Sequence, residues 1–567
     1  MANNPRRLAV TIKGGVSLGA YEAGVITEIL NIIEYNNTHG GTSWYIDAIA
    51  GASAGSITAA LLAQILAGNG QTSLLHDAWV SGISLETLAS NAQSANTILD
   101  SDAVSGLADK YLPSLSQSLS AHAAFNGQSV SLAFTVSGLA LDPESLLALN
   151  NRLLTWHEYS VVGRFKMLVS QSKSLDYWAS PIGIYNHNAP DQGVITGADA
   201  YQALKQTAVT SGAFPLAFAP RGLARFEDSL MWRDRWFVDG GVYDNDPVGE
   251  MINLAHDVDW STNAYDDRDR RFLIIEPESL PVAVTFPPTG VNPAALLDVG
   301  PAGVLEQILP GLLEQSQESG VRGIAAVNSQ INERQNILSD LCSALNTISI
   351  DFSTLQRLAG SITDQLARRR KIDQSRLQLF RENFIPDLAA LEPDLAERAS
   401  RLDVPSSGRT NVAGAFVELG LLMDFAADLA DKVSFCPIVV SPDTALAGDP
   451  MWAFSGFFLA DIREHDFQRG RYDAYQALTA IKDPTLILYT GSGVPTDPGV
   501  FTPTAAQQAA YNANSETFKN RIDVVVRTLI GEVTKGSLLF EIPLLGTGLD
   551  DTISWMVDKV IDEFLKS

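Results

Sequence analysis

Leu8 to Ile12, LAVTI, is a short run of apolar and β-branched residues that stops at glycines, and AYEAGVITEILNII behind it carries apolar positions at helical spacing. The pattern predicts strand, glycine loop, helix. It repeats, because WYIDAIA (Trp44 to Ala50) reads as a second buried strand, GASAGS as a small-residue turn and ITAALLAQILA as a second apolar helix. Two such units in about the first 70 residues predict an α/β sheet with helices on both faces.

Further strands are predicted at VSLAFTVSGLAL (Val130 to Leu141), RWFVDGG (Arg235 to Gly241), RFLIIEP (Arg271 to Pro277) and CPIVVSP (Cys436 to Pro442). From Ala294 to about Ala430 the composition shifts to Leu, Ala, Gln, Glu and Arg, with Val304, Ile308 and Leu312 on one helical face and Leu338, Leu341, Leu345 and Ile348 on another. Pro287, Pro288 and Pro293 mark the entrance to this stretch, which reads as a helical insertion or cap. FTPTAAQQAAYNANSET, near residue 510, reads as a polar loop or mobile segment, and no repeat of solenoid period is present. The expected divisions are an α/β domain at 1–285, a helical insertion at 286–430 and a C-terminal α/β-helical region at 431–567 that packs on the core.

With 567 residues the chain exceeds one ordinary domain, and 46% apolar with 18% charged residues is the balance of a globular protein with a sizeable core. Lys and Arg number 39 against 65 Asp and Glu, a net charge of −26. That balance argues against nucleic acid as partner and against passive adsorption to an anionic bilayer. Arg368 to Lys371, a short basic run, reads as a solvated helix face. Cys342 and Cys436 are far apart and lack metal-ligand spacing, so neither a disulfide framework nor a metal site is expected. No stretch of 18 uninterrupted apolar residues appears and no leader precedes LAVTI, so a cytoplasmic protein without a transmembrane segment is expected. Any membrane contact would be peripheral.

Gly51-Ala52-Ser53-Ala54-Gly55 matches GxSxG, a weak pattern alone but a specific one between a buried strand and an apolar helix. Such an elbow exposes a serine hydroxyl on a strained turn, its flanking Gly51 and Gly55 permitting the sharp bend. Ser53 is the candidate nucleophile. At a helix start, the N–H of Ala54 would face charge developing on an attacked carbonyl, and the amides of Gly14, Gly15 and Val16, with Gly19 closing the loop, would complete the hole from the other side. A nucleotide loop is the weaker reading, since GxxxxGK[ST] is absent and Val16 stands where GxGxxG needs glycine.

A serine needs a base. An elbow as early as residue 53 leaves no room for the strand order of an α/β-hydrolase triad, and none of His39, His76, His122, His157, His187, His256 and His465 lies in a glycine turn after a strand; His256 reads as a helix-end residue. Asp239, in WFVDGGVYDNDP, ends an apolar strand before Gly240 and Gly241, where an α/β sheet presents functional groups; a turn-capping aspartate would look the same.

The loop KGGVSLGAYEAGV, the elbow IAGASAGS, the stretch TSGAFPLAFAP (Thr210 to Pro220) and VDGGVYDNDPV together resemble the patatin-like phospholipase family, over roughly residues 8 to 280. FSGFFLADIREHDFQRGRYDAYQAL (Phe454 to Leu478) is similar to the C-terminal part of a bacterial subgroup of these proteins. The resemblance implies a three-layer α/β/α sandwich around a central, mostly parallel sheet. It implies a Ser53–Asp239 dyad that hydrolyses fatty-acyl esters, with no cofactor or metal, on phospholipid, lysophospholipid or neutral lipid. Family loops usually read GGGxRG or GGGxKG, whereas here Val16 and Leu18 replace the third glycine and the basic residue. Valine disfavours positive φ, so an ordinary backbone is expected at Val16. Both departures motivate an alternative, a non-catalytic lipid-binding or scaffold protein on the same core.

Overall fold

The structure, a computed structural model, describes residues 5–278 apart from 90–96, 140–143, 148–152, 157–158, 181, 184–194, 216, 227–231 and 262–269. It also describes scattered helical positions between 328 and 423 and the whole of 437–535. Two compact units emerge: Met1–Val258, Asp269–Gly320 and Pro437–Ser567 form one, Asp259–Arg268 and Val321–Cys436 the other.

The strands of the first unit are, in chain order, β1 (Arg6–Ile12), β2 (Trp44–Gly51), β3 (Ser129–Gly138), β4 (Glu144–Leu147), β5 (Leu153–Trp156), β6 (Ser160–Val169) and β7 (Leu175–Ala179). They continue with β8 (Ile182–Gly183), β9 (Ile195–Thr196), β10 (Arg221–Phe226), β11 (Trp232–Asp239), β12 (Arg270–Ile275) and β13 (Ile438–Val440). All but the β4–β5 hairpin join one mixed sheet of 11 strands. Its half ordered β13-β12-β1-β2-β3 is parallel throughout. Helices flank it in the three-layer α/β/α arrangement expected. Coverage on both faces is why LAVTI and IDAIA read as continuous apolar runs: Leu8, Ala9, Val10, Ile46, Ala48 and Ile49 are all buried, whichever way they point.

Beyond β3 the sheet changes character. β6 pairs antiparallel with Ser129–Ser137 along one edge of β3, so β2 and β11 must share the other. β2 runs parallel to β3 as far as Gly51↔Phe134, and β11 runs the opposite way to Asp239↔Val136. The C-terminal ends of two strands far apart in sequence therefore meet head to head, two residues apart along β3.

Helix Gly19–Thr38 packs along helix Ala460–Ala480, where Tyr21 donates to Asp473 at 3.1 Å. With the turn before it, Val16–Thr38 is long and apolar enough to cross a membrane, yet 83% of its most apolar window is buried in the fold, the condition of a core helix. Edge strand β13 and helix Ala460–Ala480 come from beyond residue 436, so the C-terminal stretch completes the unit begun at the N-terminus.

One expectation fails here. The polar segment near residue 510 is not a loop but part of helix Ala505–Lys535. Thr504 and Gln507 form a capping box, the Gln507 side chain accepting the Thr504 N–H at 2.8 Å and the Thr504 hydroxyl accepting the Gln507 N–H at 3.3 Å. Behind that cap, Phe518, Ile522 and Val525 bury one face in a cluster with Phe454, Phe457 and Phe458 while the Gln and Asn side stays polar. His256, expected at a helix end, lies inside helix Val248–Ser261.

In the second unit, helix Phe352–Arg369 ends with Arg368 and Arg369 exposed, a solvated basic end that suits the helix dipole. Arg381 bridges Glu418 at 2.6 Å and Asp364 at 2.9 Å. The predicted faces Val304, Ile308, Leu312 and Leu338, Leu341, Leu345, Ile348 lie outside the described residues, as do Arg370, Lys371, both cysteines, His157 and His187.

Candidate active site

β2 ends at Gly51 and helix Ala54–Gln64 begins two residues after Ala52, leaving Ser53 as the hinge with φ 50° and ψ −126°. A non-glycine residue in that region stores roughly 1–3 kcal/mol of strain, so the surroundings must hold it. The Ser53 N–H donates to the Ser211 hydroxyl at 2.9 Å, which also exchanges a hydrogen bond with Ser56 at 2.8 Å. Ala52 donates its N–H to Ile12 O at 3.1 Å, tying the elbow to the end of β1. Gly55 permits this approach: a Cβ there would lie 2.7 Å from Lys13 O.

The head-to-head strand ends bring Ser53 to Asp239. The serine hydroxyl donates to Asp239 Oδ2 at 2.6 Å, while Oδ1 accepts the Gly241 N–H at 2.7 Å and the Asp239 N–H is spent on Ala213 O at 3.0 Å. Ser53 is 5% exposed and Asp239 2%. Burial raises the Asp239 carboxyl to about 7, with the two donated hydrogen bonds acting the other way. Near neutral pH it is thus divided between an acid and a base form, the base form able to take a proton from the hydroxyl that points at it.

The glycine loop closes the opposite wall. Gly14 lies against the serine, for a Cβ there would come within 2.7 Å of Ser53 Cβ. Asn245 holds it, donating from its amide to Gly14 O at 3.3 Å. Next to it, Lys13 pairs with Asp246 at 3.2 Å and with Glu276; burial opposes its charge, and the two carboxylates more than offset this and raise it. Glu22, beneath the loop and fully buried, is raised by that burial to about 8 and accepts the Thr58 hydroxyl at 2.9 Å. It is protonated at neutral pH and places no negative charge behind the loop.

Val16 corrects the expectation of an ordinary backbone: its φ is 51°. Gly15, with φ −148° and ψ 15°, starts a 3-10 turn that Leu18 N–H closes on Gly15 O at 2.7 Å, and tertiary contacts outweigh the preference of a β-branched residue.

A cavity of about 450 Å³ opens over these groups. Gly14, Gly15, Val16 and Leu18 line it from the loop, Ser53 from the elbow, and Asp239, Gly241, Val242 and Asn245 from the end of β11. Phe214, Ala453, Glu278 and Asp449 complete it. Ala54 is buried directly behind Ser53 as the first helical residue, Gly240 starts the turn after Asp239, and Gly19 abuts the Trp79 ring where the loop enters its helix. Among the described residues no three His, Cys, Asp or Glu gather as metal ligands, and no described histidine lines the cavity.

Sequence reading passed over Ser211, Asn245, Phe214, Asp449 and Ala453. Ser211 and Phe214 lay within TSGAFPLAFAP and Asn245 within VDGGVYDNDPV, stretches singled out without a role for these side chains; Asp449 and Ala453 arrive from the far end of the chain and carry no local signal.

No curated protein matches the chain. The patatin-like phospholipase family model matches residues 10–252, which include the loop, the elbow and Asp239 but not β12, β13, Glu278, Asp449 or Ala453. Residues 10–252 are thus a patatin-like phospholipase domain, of a family of lipid acyl hydrolases, whose sheet and cavity are completed by residues outside it.

Proposed function

We propose that this chain is a serine hydrolase of fatty-acyl esters, with Ser53 as nucleophile and Asp239 as its only base. The observation that carries the reading is the 2.6 Å hydrogen bond from the Ser53 hydroxyl to a buried carboxylate that ionises near neutrality. Ser53 Oγ attacks the ester carbonyl as its proton passes to Asp239, and the carbonyl oxygen becomes an oxyanion. The amides of Gly14, Gly15 and Val16 on the loop and of Ala54 at the helix start are the proposed donors to it. Collapse expels the alcohol, which takes the proton from Asp239 and leaves an acyl-serine. Water then gives a proton to Asp239 as it attacks the acyl carbon; the fatty acid departs, and the proton returns to Ser53.

Leu18, Phe214, Val242 and Ala453 offer an apolar wall to an acyl chain. Peripheral contact with a lipid surface accords with such a substrate. The competing reading, a non-catalytic lipid-binding or scaffold protein, drew on Val16 and Leu18. Val16 keeps a left-handed turn open to glycine, and Leu18 adds an apolar surface to the cavity, which supports catalysis instead.

Purified Ser53→Ala and Asp239→Asn are each expected to lower kcat/KM on a medium-chain nitrophenyl ester by about 10³-fold or more. Full activity in either variant overturns the dyad, and failure of a fluorophosphonate to label Ser53 in the native protein favours the inert scaffold.

A further inference from the structure

Val16 lies between Gly15 and the buried hydroxyl of Ser17, and that hydroxyl is held from the other end of the chain. Ser17 Oγ accepts the Gly456 N–H at 3.1 Å and donates to Ala453 O. Ser17 is 1% exposed, so this double hydrogen bond is made away from water.

The segment on the far side is itself braced. Asp466, buried, accepts the N–H groups of Ala447 and Gly448 at 2.9 and 2.8 Å. Ser455 donates to Gly448 O at 2.9 Å, and Arg463 donates to Gly456 O at 2.8 Å and to Val80 O at 3.0 Å. Ala453, the partner of Ser17, has φ 62°, so two strained non-glycine residues flank one shared contact. A Cβ on Gly456 would lie 2.9 Å from Ser17 Cβ, and only glycine lets the two backbones come this close.

We propose that Ser17 is a positioning residue for the proposed hydrolysis: its bonds to Ala453 and Gly456 hold Val16 in the left-handed conformation that glycine would adopt unaided, and so keep the loop amides facing Ser53. The stretch Phe454 to Leu478, to which sequence reading attached no chemistry, thereby becomes the outer support of the loop. Freed from this clamp, a β-branched residue returns to negative φ and turns the adjacent peptide groups with it. A glycine does not, because both signs of φ are open to it. The proposal rests on the esterase reading for its kinetic consequence and on the loop geometry alone for its structural one.

The test is a double-mutant cycle of Ser17→Ala and Val16→Gly. Ser17→Ala should lower kcat on the nitrophenyl ester by about tenfold or more with Val16 present, with KM little changed. With glycine at 16 the same substitution should cost no more than about threefold. A merely structural role for Ser17 predicts equal losses in both backgrounds, and that result overturns the proposal. Hydrogen exchange over Lys13 to Ala20 serves as a readout independent of turnover: Ser17→Ala should exchange faster there than the native protein. Faster exchange in a chain that lacks Ser53-dependent activity would sink the esterase reading and leave the clamp standing. Unchanged exchange sinks the clamp.

Discussion

Two strand-to-helix turns sit side by side in this domain, and their strained residues have nearly the same backbone angle: φ 50° at Ser53 and 51° at Val16. The elbow is held by the strand and helix it joins, by Ile12 O and by Ser211, all within residues 10–252, and its glycines stand at fixed offsets in a five-residue pattern. The glycine loop has valine where glycine would be easiest and takes its support from Asn245, Ala453 and Gly456, more than 200 residues away. Neither residue adopts a positive φ without strain, so both are held by their surroundings, Ser53 by neighbours within residues 10–252 and Val16 also through Ala453 and Gly456 beyond them. That second support ties the loop to the rest of the chain.

The comparison breaks most sharply at the point where the two turns touch. A methyl group at Gly14 would stand 2.7 Å from Ser53 Cβ and against the Asn245 side chain. Gly14→Ala should therefore lower kcat/KM by about a hundredfold, with the urea midpoint showing that the fold survives. An active Gly14→Ala enzyme would mean that the loop does not face the serine in the reacting complex.

A smaller effect separates the base from its setting. With Asp239 at about 7, log kcat/KM should rise with unit slope up to that pH and level off above it, and Asp239→Asn should abolish the rise along with the activity. The sign for stability is opposite. The native state holds this proton more tightly than the unfolded chain between about 4 and 7, so the carboxylate costs stability as pH rises through that window. Asp239→Asn should raise Tm at pH 8 and lose that advantage towards pH 5; equal Tm differences at both values would contradict a buried, raised acid.

The smallest effect tests the loop's nearer tether. Asn245→Ala removes one amide bond to Gly14 O and should cost about threefold in kcat, against tenfold or more for Ser17→Ala, if the remote clamp carries more of the positioning than the adjacent one. The reverse order would make Asn245 the main support.

Local patterning was enough for β1, β2, β3, β11, β12 and β13 and for the elbow, because burial on both faces writes β1 and β2 as continuous apolar runs and an elbow demands small residues beside its serine; β4 to β10 were not read from it. It misread the segment near residue 510, where Gln, Asn and Ala obscured a helix whose cap, Thr504 and Gln507, was present in the sequence. At Val16 the propensity of valine pointed the wrong way, since tertiary contact and not intrinsic preference sets φ there.

From sequence alone came the α/β class and the candidacy of Ser53 and Asp239, all of them consequences of short-range periodicity and turn chemistry. The 2.6 Å contact between those two residues follows from β2 and β11 meeting end to end along β3, a pairing that no window of neighbouring residues encodes. The left-handed Val16 and its clamp likewise exist only in the folded chain, because the hydroxyl of Ser17 finds its partners at Ala453 and Gly456 only after the C-terminal segment has docked.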